Sequence, residues 1–354
     1  MSETLTATTQ ALTLNQSELN GPFEYPANWD KHIDRHLTPA VGTQLKQGVQ
    51  LSEILENDKL VHELAVLISR RGVVIAKDQD ITPDQQARLG QALGDLTGKP
   101  KNSKLHIHPL TPDFGEFGQA PAVFSLDDKF NQDKYDEEIE KSEHASANWH
   151  TDITFENVPS DYAILKMHTV PIGGDTLWAS AYTVYDKISP TMRTFLSTLT
   201  ASHHAPTFQD AKRNYGITFR GEKEDDVGRG SDENRGAHLT AKHPIIRTNP
   251  VTGWHGVFVN KCFTKKIDGL KKDESDALLN YLYHLQNSHD AHVRYQWSTN
   301  DVALWDNRTT THCCTLDTTG PRAGNRVLGI GERPYYDAGG SSRLEDLKKK
   351  ALAV

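Results

Sequence analysis

The sequence predicts a mostly β fold with helical decoration, an antiparallel barrel or jelly roll, and three observations predict it. Short β-branched runs recur from residue 161 onward: "DYAILKMHTV", "GDTLWAS", "GVFVN", "HVRYQW", "DVALWDN" and "RVLGIGE". Gly, Pro and Asn separate them, as turns between strands require. No regular alternation of strand and helix accompanies them, which argues against a doubly wound parallel sheet.

In chain order, residues 1–50 are polar, carry Pro26 and Pro39, and read as a loosely ordered lead-in that wraps the domain. "LSEILENDKLVHELAVLISRRG" spaces its Leu, Ile and Val as a helix does, and "GVVIAKD" behind it is a short apolar run expected as a buried strand. Thr82 is placed to cap a helix over "TPDQQARLGQALGDL". Two charged stretches, 127–147 and "EKEDDVGRGSDENRG" near residue 222, read as exposed insertions. "SPTMRTFLSTL" and "DESDALLNYLYHLQ" read as helical inserts, and no internal repeat is present. The expected organisation is the lead-in 1–50, one domain over 51–340 and a C-terminal tail, 341–354.

A chain of 354 residues, 36% of them hydrophobic, can build a real core. Its net charge of -8 leaves no broad basic field, so neither nucleic acid nor an anionic membrane is expected as its main partner. Any anion must be held by local cations. The first twenty residues lack Arg, Lys and a continuous apolar core, so export is not expected. No run approaches the roughly 18 to 20 apolar residues that cross a bilayer. Three Cys, two of them adjacent at Cys313 and Cys314, offer no disulfide framework, and a cytoplasmic setting is the expectation. The sequence leaves room for a homo-oligomer.

The chemistry starts at "NWHTDITFENVP", where His150-Thr151-Asp152 sets an imidazole and a carboxylate two residues apart. With 17 His and 47 Asp plus Glu, chance alone supplies about two such triplets, and two occur, the other being His32-Ile33-Asp34 in the lead-in. A metal reading therefore needs a third ligand. "DVALWDNRTTTHCC" supplies His312 at the end of an expected strand. Two imidazoles and one carboxylate form the facial triad suited to non-haem Fe(II), with positions left for O2 and a chelating organic acid. Downstream, "RAGNR" sets Arg322 and Arg326 four apart, and arginine grips carboxylate or sulfonate with paired donors.

Taken together, "LHIHP", "NWHTD", "GGDTLW", "FVNKCFT", "WDNRTTTH" and the Arg322/Arg326 pair resemble the taurine dioxygenase family of Fe(II)/2-oxoglutarate-dependent oxygenases. The matches run in order from about residue 60 to 335, and "NPVTGWHGVFVN" and "GIGERPYYD" resemble its fungal sulfonate and alkylsulfate branch. The resemblance implies a double-stranded β-helix, or jelly roll, with Fe(II) on His150, Asp152 and His312. It implies 2-oxoglutarate as cosubstrate, its distal carboxylate on Thr176 and Arg322. Arg326 and His108 would take the anionic head of a small substrate, and Phe263 and Phe208 its apolar part. The implied reaction consumes O2 and releases succinate and CO2 as a C–H bond is oxidised.

Two departures bear on the substrate. Thr111 stands where the taurine enzyme has an aromatic hydroxyl, and Ser146 where it has an amide. Both positions help to recognise the amino end of taurine there, so an alkyl sulfonate or alkyl sulfate is expected instead. Two other readings stand beside it: the same machinery acting on a carboxylate such as an amino acid or aryloxy acid, and a non-enzymatic binding module on the same fold.

Overall fold

The computed structural model describes residues 21–109, 123–127, 144–216, 218–223 and 228–352. Its strands in chain order are β1 (Ile33–His36), β2 (Thr43–Leu45), β3 (Val73–Ala76), β4 (Val123–Asp127), β5 (Ser160–Thr169), β6 (Thr176–Ser180), β7 (Thr200–His204) and β8 (Thr240–Pro244). They continue as β9 (Ile246–Thr248), β10 (His255–Val257), β11 (Thr264–Ile267), β12 (His292–Tyr295), β13 (Val302–Asp306), β14 (Thr310–Cys314) and β15 (Ala323–Ile330). Among the described residues, β1-β2-β3-β13-β5-β15-β4 form one seven-stranded sheet, and three smaller sheets have the orders β12-β6-β14, β11-β7-β8 and β10-β9. Every pair is antiparallel except β2 with β3. The architecture is therefore mixed helix and sheet.

Side-chain alternation explains why the central strands read as continuous apolar runs. Val74, Ala76, Tyr162, Ile164, Val302 and Leu304 pack with Leu64, Leu67, Ile68, Leu89 and Leu93 of two outer helices. The residues between them, Val73, Ile75, Ala163, Leu165, Ala303 and Trp305, face the opposite way, onto Trp178, Trp297 and Phe155. A strand covered on both faces needs apolar residues at every position. Each such Val, Leu or Ile contributes about 1.5–3 kcal/mol of burial.

The two outer helices begin where their caps are. In Asp58–Arg71 the Asn57 side chain accepts from the Leu60 N–H, and Gly72 ends the helix at φ 75°. In Pro83–Asp95 Thr82 and Gln85 make a capping box. The inserts at Pro190–Leu196 and Lys272–Gln286 are helical as expected.

Two expectations change. Within the lead-in, β1 and β2 belong to the largest sheet rather than to a loose wrap, because β2 covers the open edge of β3. The charged stretch after residue 222 is not simply exposed: Arg229 and Asn234 are 1% and 0% exposed. A charge is buried when it is paired, and Arg229 donates to both oxygens of Glu156, at 2.5 and 2.9 Å. Phe208 lies on a helix, Pro206–Tyr215. Of the other charged stretch, 128–143 lies outside the described residues, as does Thr111, while Ser146 is exposed on a short 3-10 helix, Ala145–Asn148. No helix of the described residues is long and apolar enough to cross a membrane.

Candidate active site

The site forms where the chain leaving Ala145–Asn148 meets β14. His150 N donates to the His312 carbonyl at 3.0 Å and His312 N to the His150 carbonyl at 2.7 Å, an isolated antiparallel bridge. Two histidines far apart in sequence thus stand opposite each other, ring centroids 4.2 Å apart. Asp152 follows in a turn, and its neighbour Ile153 has φ 52°. A β-branched residue in the left-handed region is strained by roughly 1–3 kcal/mol. That turn aims the Asp152 carboxylate back at the two rings.

One ligand atom from each of His150, Asp152 and His312 lies within 4.8 Å of the others. His150 Nε2 is 4.0 Å from Asp152 Oδ1, and His312 Nε2 is 3.8 Å from Asp152 Oδ2. His150 Nδ1 bonds the Asn148 carbonyl at 2.8 Å. A carbonyl can only accept, so that nitrogen carries the proton and Nε2 keeps its lone pair. Asp152 Oδ2 is buried with no hydrogen-bond partner, which is costly for a carboxylate unless a cation faces it. The donor set and the bare oxygen fit a divalent metal of the facial-triad type.

Electrostatics favour an ionised Asp152 and a neutral His312. Burial opposes the charged form of Asp152, but Arg326, His312 and His150 together outweigh it and hold the carboxyl down at about 2. Burial and the neighbouring His150 push His312 down to about 3. Burial lowers His150 too, yet contact with the Cys262 thiol and the charge of Asp152 outweigh it and leave the ring raised.

On one side of the triad, strand pairing sets Thr176 of β6 opposite Cys314 of β14, two residues past His312. Thr176 Oγ1 is buried and accepts from Trp297 Nε1 at 2.9 Å. Arg322 enters beside it, its Nε donating to the Gly174 carbonyl at 3.3 Å. Gly174 has φ 67°, and a Cβ there would lie 3.0 Å from Arg322 Cδ, so the second glycine of "GGDT" gives the arginine its room.

On the other side an arc of ring edges runs away from the triad. His150 meets Phe263 at 6.3 Å between centroids, Phe263 meets Phe155 at 5.1 Å, Phe155 meets Phe208 at 5.4 Å, and Phe208 meets His108 at 5.2 Å. All four contacts are edge-on, the preferred geometry for aromatic pairs. Arg326 closes the space, its Nη1 donating to Asp152 Oδ1 at 2.9 Å. Burial holds His108 well below the ordinary histidine range, with His106 and Arg326 adding to it.

Thr176, His312 and Arg326 lie on β6, β14 and β15 and Arg322 just before β15, while His150 and Asp152 lie before β5, His108 and Phe263 in loops and Phe208 on the helix Pro206–Tyr215. Sequence reasoning missed Phe155, Cys262, Asn307 and the Glu156–Arg229 pair. Phe155, three residues past Asp152, and Asn307, in the polar run ending β13, carried a positional hint; the pairing of Glu156 with Arg229 carried none.

The model of the taurine catabolism dioxygenase TauD, TfdA family matches residues 34–328. The α-ketoglutarate-dependent dioxygenase btcD of Neocamarosporium betae is 39% identical over 92% of this chain and 98% of its own length. The α-ketoglutarate-dependent sulfonate dioxygenase of Saccharomyces cerevisiae is 32% identical over 86% of this chain and 68% of its own. A taurine dioxygenase from Burkholderia xenovorans, solved by crystallography, superposes with a TM-score of 0.65 at 25% identity, covering 87% of this chain and 92% of that one. With the family model spanning most of its length and a His-Asp-His cluster at its centre, the chain belongs to the TauD/TfdA family and is an α-ketoglutarate-dependent dioxygenase.

Proposed function

We propose that this dioxygenase oxidises a C–H bond of a small anionic substrate, an alkyl sulfonate or alkyl sulfate, releasing succinate and CO2. One observation carries the reading: Arg326 and an apolar aromatic arc ending in His108 converge on the same triad. The guanidinium has five donors in a rigid fork, enough to face Asp152 and an anionic head together. Phe263 and Phe208 then flank the substrate's apolar part.

In this reading His150, Asp152 and His312 hold Fe(II), while Thr176 and Arg322 hold the distal carboxylate of 2-oxoglutarate (α-ketoglutarate). When bound, the iron and cosubstrate supply the oxidation, coupling O2 to decarboxylation of 2-oxoglutarate and cleavage of the C–H bond. The chain's own work is positioning and exclusion of water. His150 keeps its Nε2 lone pair because Asn148 holds the opposite proton. Arg326 keeps Asp152 ionised. The apolar arc keeps water from the reacting C–H bond.

A double-stranded β-helix over 51–340, with β1 and β2 added at its edge, is the fold we assign; the facing of Trp178 of the β12-β6-β14 sheet onto Trp305 of the large sheet supports it. Membership of an enzyme family sets aside the non-enzymatic module. A carboxylate substrate is the second reading, since arginine binds carboxylate and sulfonate alike. Against a substrate ammonium, the two carboxylates described beside the site are already paired, Asp152 with Arg326 and Glu156 with Arg229. Succinate release measured over sulfonates, sulfates, amino acids and aryloxyacetates tests the assignment. Turnover with an amino acid alone moves the function to the carboxylate reading.

A further inference from the structure

We propose that Asn307 is the positioning residue that ties the two arms of the metal centre together. The inference rests on the reading of His150, Asp152 and His312 as ligands. Asn307 sits in the turn between β13 and β14 and is fully buried. Its Oδ1 accepts from the Asp152 N–H at 3.3 Å and from the Trp305 indole N–H at 3.1 Å. Its Nδ2 donates to Ser160 Oγ at 3.0 Å, and its own backbone N–H donates to the Asp161 carbonyl at 2.7 Å.

The geometry makes one amide answer to both arms. Trp305, held by that amide, lies edge-on against His312, ring centroids 5.0 Å apart. His150 and His312 are aligned by their mutual backbone bridge, but Asp152 lies in a turn outside any strand. Its direction must come from elsewhere. Arg326 takes Oδ1, and Asn307 fixes the backbone from which the carboxylate springs. Oδ2 is then left facing His312. Turning the amide over would set its NH2 against two N–H donors, so those donors fix its orientation and Ser160 Oγ accepts from its other end. Outer partners of this kind typically set metal affinity by 10- to 100-fold.

The test is anaerobic titration of the chelator-stripped full chain with Co(II), read by its visible ligand-field bands. Asn307→Leu keeps the volume and removes every amide contact; Ser160→Ala removes only the far tether. Expected is Co(II) binding weaker by 10- to 100-fold in Asn307→Leu and several-fold in Ser160→Ala, with altered bands at saturation and a native-like far-UV spectrum. Wild-type affinity and bands in both variants overturn the proposal. If Asn307→Leu does not fold, wild-type behaviour of Ser160→Ala overturns it equally. Asp152→Ala serves as the control: if that variant also binds Co(II) like wild type, the ligand reading itself fails, which separates the two outcomes.

Discussion

At the scale of single residues, the two His-x-Asp triplets separate cleanly. His32 ends a short 3-10 helix with its ring 5.2 Å from Trp29, whereas Asp152 lies between two imidazoles with one bare oxygen. Asp152→Ala is expected to abolish substrate-dependent succinate formation and His32→Ala to leave it nearly unchanged, as a coupled succinate assay will show. Full turnover by Asp152→Ala would remove the metal assignment. Arg322→Ala is expected to raise the half-saturating 2-oxoglutarate concentration steeply, since a lost charge-assisted contact costs roughly 2–5 kcal/mol. An unchanged requirement would move that role to Arg326. Removing Arg326 has a different expected signature, because its guanidinium also pairs with the Asp152 carboxylate.

At the scale of elements, residues 229–234 are fastened to the loop that leads from Asp152 into β5. Arg229 reaches Glu156 with two donors and spends a third on the carbonyls of Arg220 and Gly236. Asn234 bonds both the N–H and the carbonyl of Val158. Breaking a buried pair leaves one charge unmatched, so Arg229→Ala should cost about 3–5 kcal/mol in denaturant unfolding. The Glu156→Leu/Arg229→Met double variant should cost less than that single change. The opposite order would mean that the charges themselves stabilise the fold. Burial raises the Glu156 carboxyl, but His106 and Arg229 outweigh it and hold it below its ordinary value. A carboxyl lowered on folding contributes stability above its unfolded pKa and loses it as pH falls through the lowered value. The denaturant midpoint should therefore hold near pH 6 and fall as the pH drops through the acid range, and the Glu156→Leu/Arg229→Met variant should lack that part of the fall.

Across the whole molecule the net charge is -8, so in the proposed function selection of an anionic substrate falls to the pocket rather than to the field of the protein. A buried ammonium without a partner costs several kcal/mol, whereas each buried methylene gains about 0.8 kcal/mol. Three or four methylenes against the aromatic arc shift preference by about two decades, at about 1.4 kcal/mol per decade. Hexylsulfonate and hexylsulfate should exceed taurine in kcat/KM by that factor at one fixed 2-oxoglutarate concentration. Taurine equal to the hexyl compounds would show that the arc does not contact the substrate.

What the sequence by itself determined was local or period-bound: the helix Asp58–Arg71 from its apolar spacing, the Thr82-capped helix Pro83–Asp95, the buried strand β3, and the residue types of the site. Capping and alternation are decided within a few residues, so they can be read directly from the chain. Only the tertiary structure decided that β1 and β2 join the main sheet, that Arg229 is buried, that Phe155 bridges Phe263 and Phe208, and that one amide links Asp152 to Trp305. Each of these joins residues remote in sequence. Such contacts have no local period to announce them, and they become visible only when backbone pairing, as between His150 and His312, brings the remote segments together.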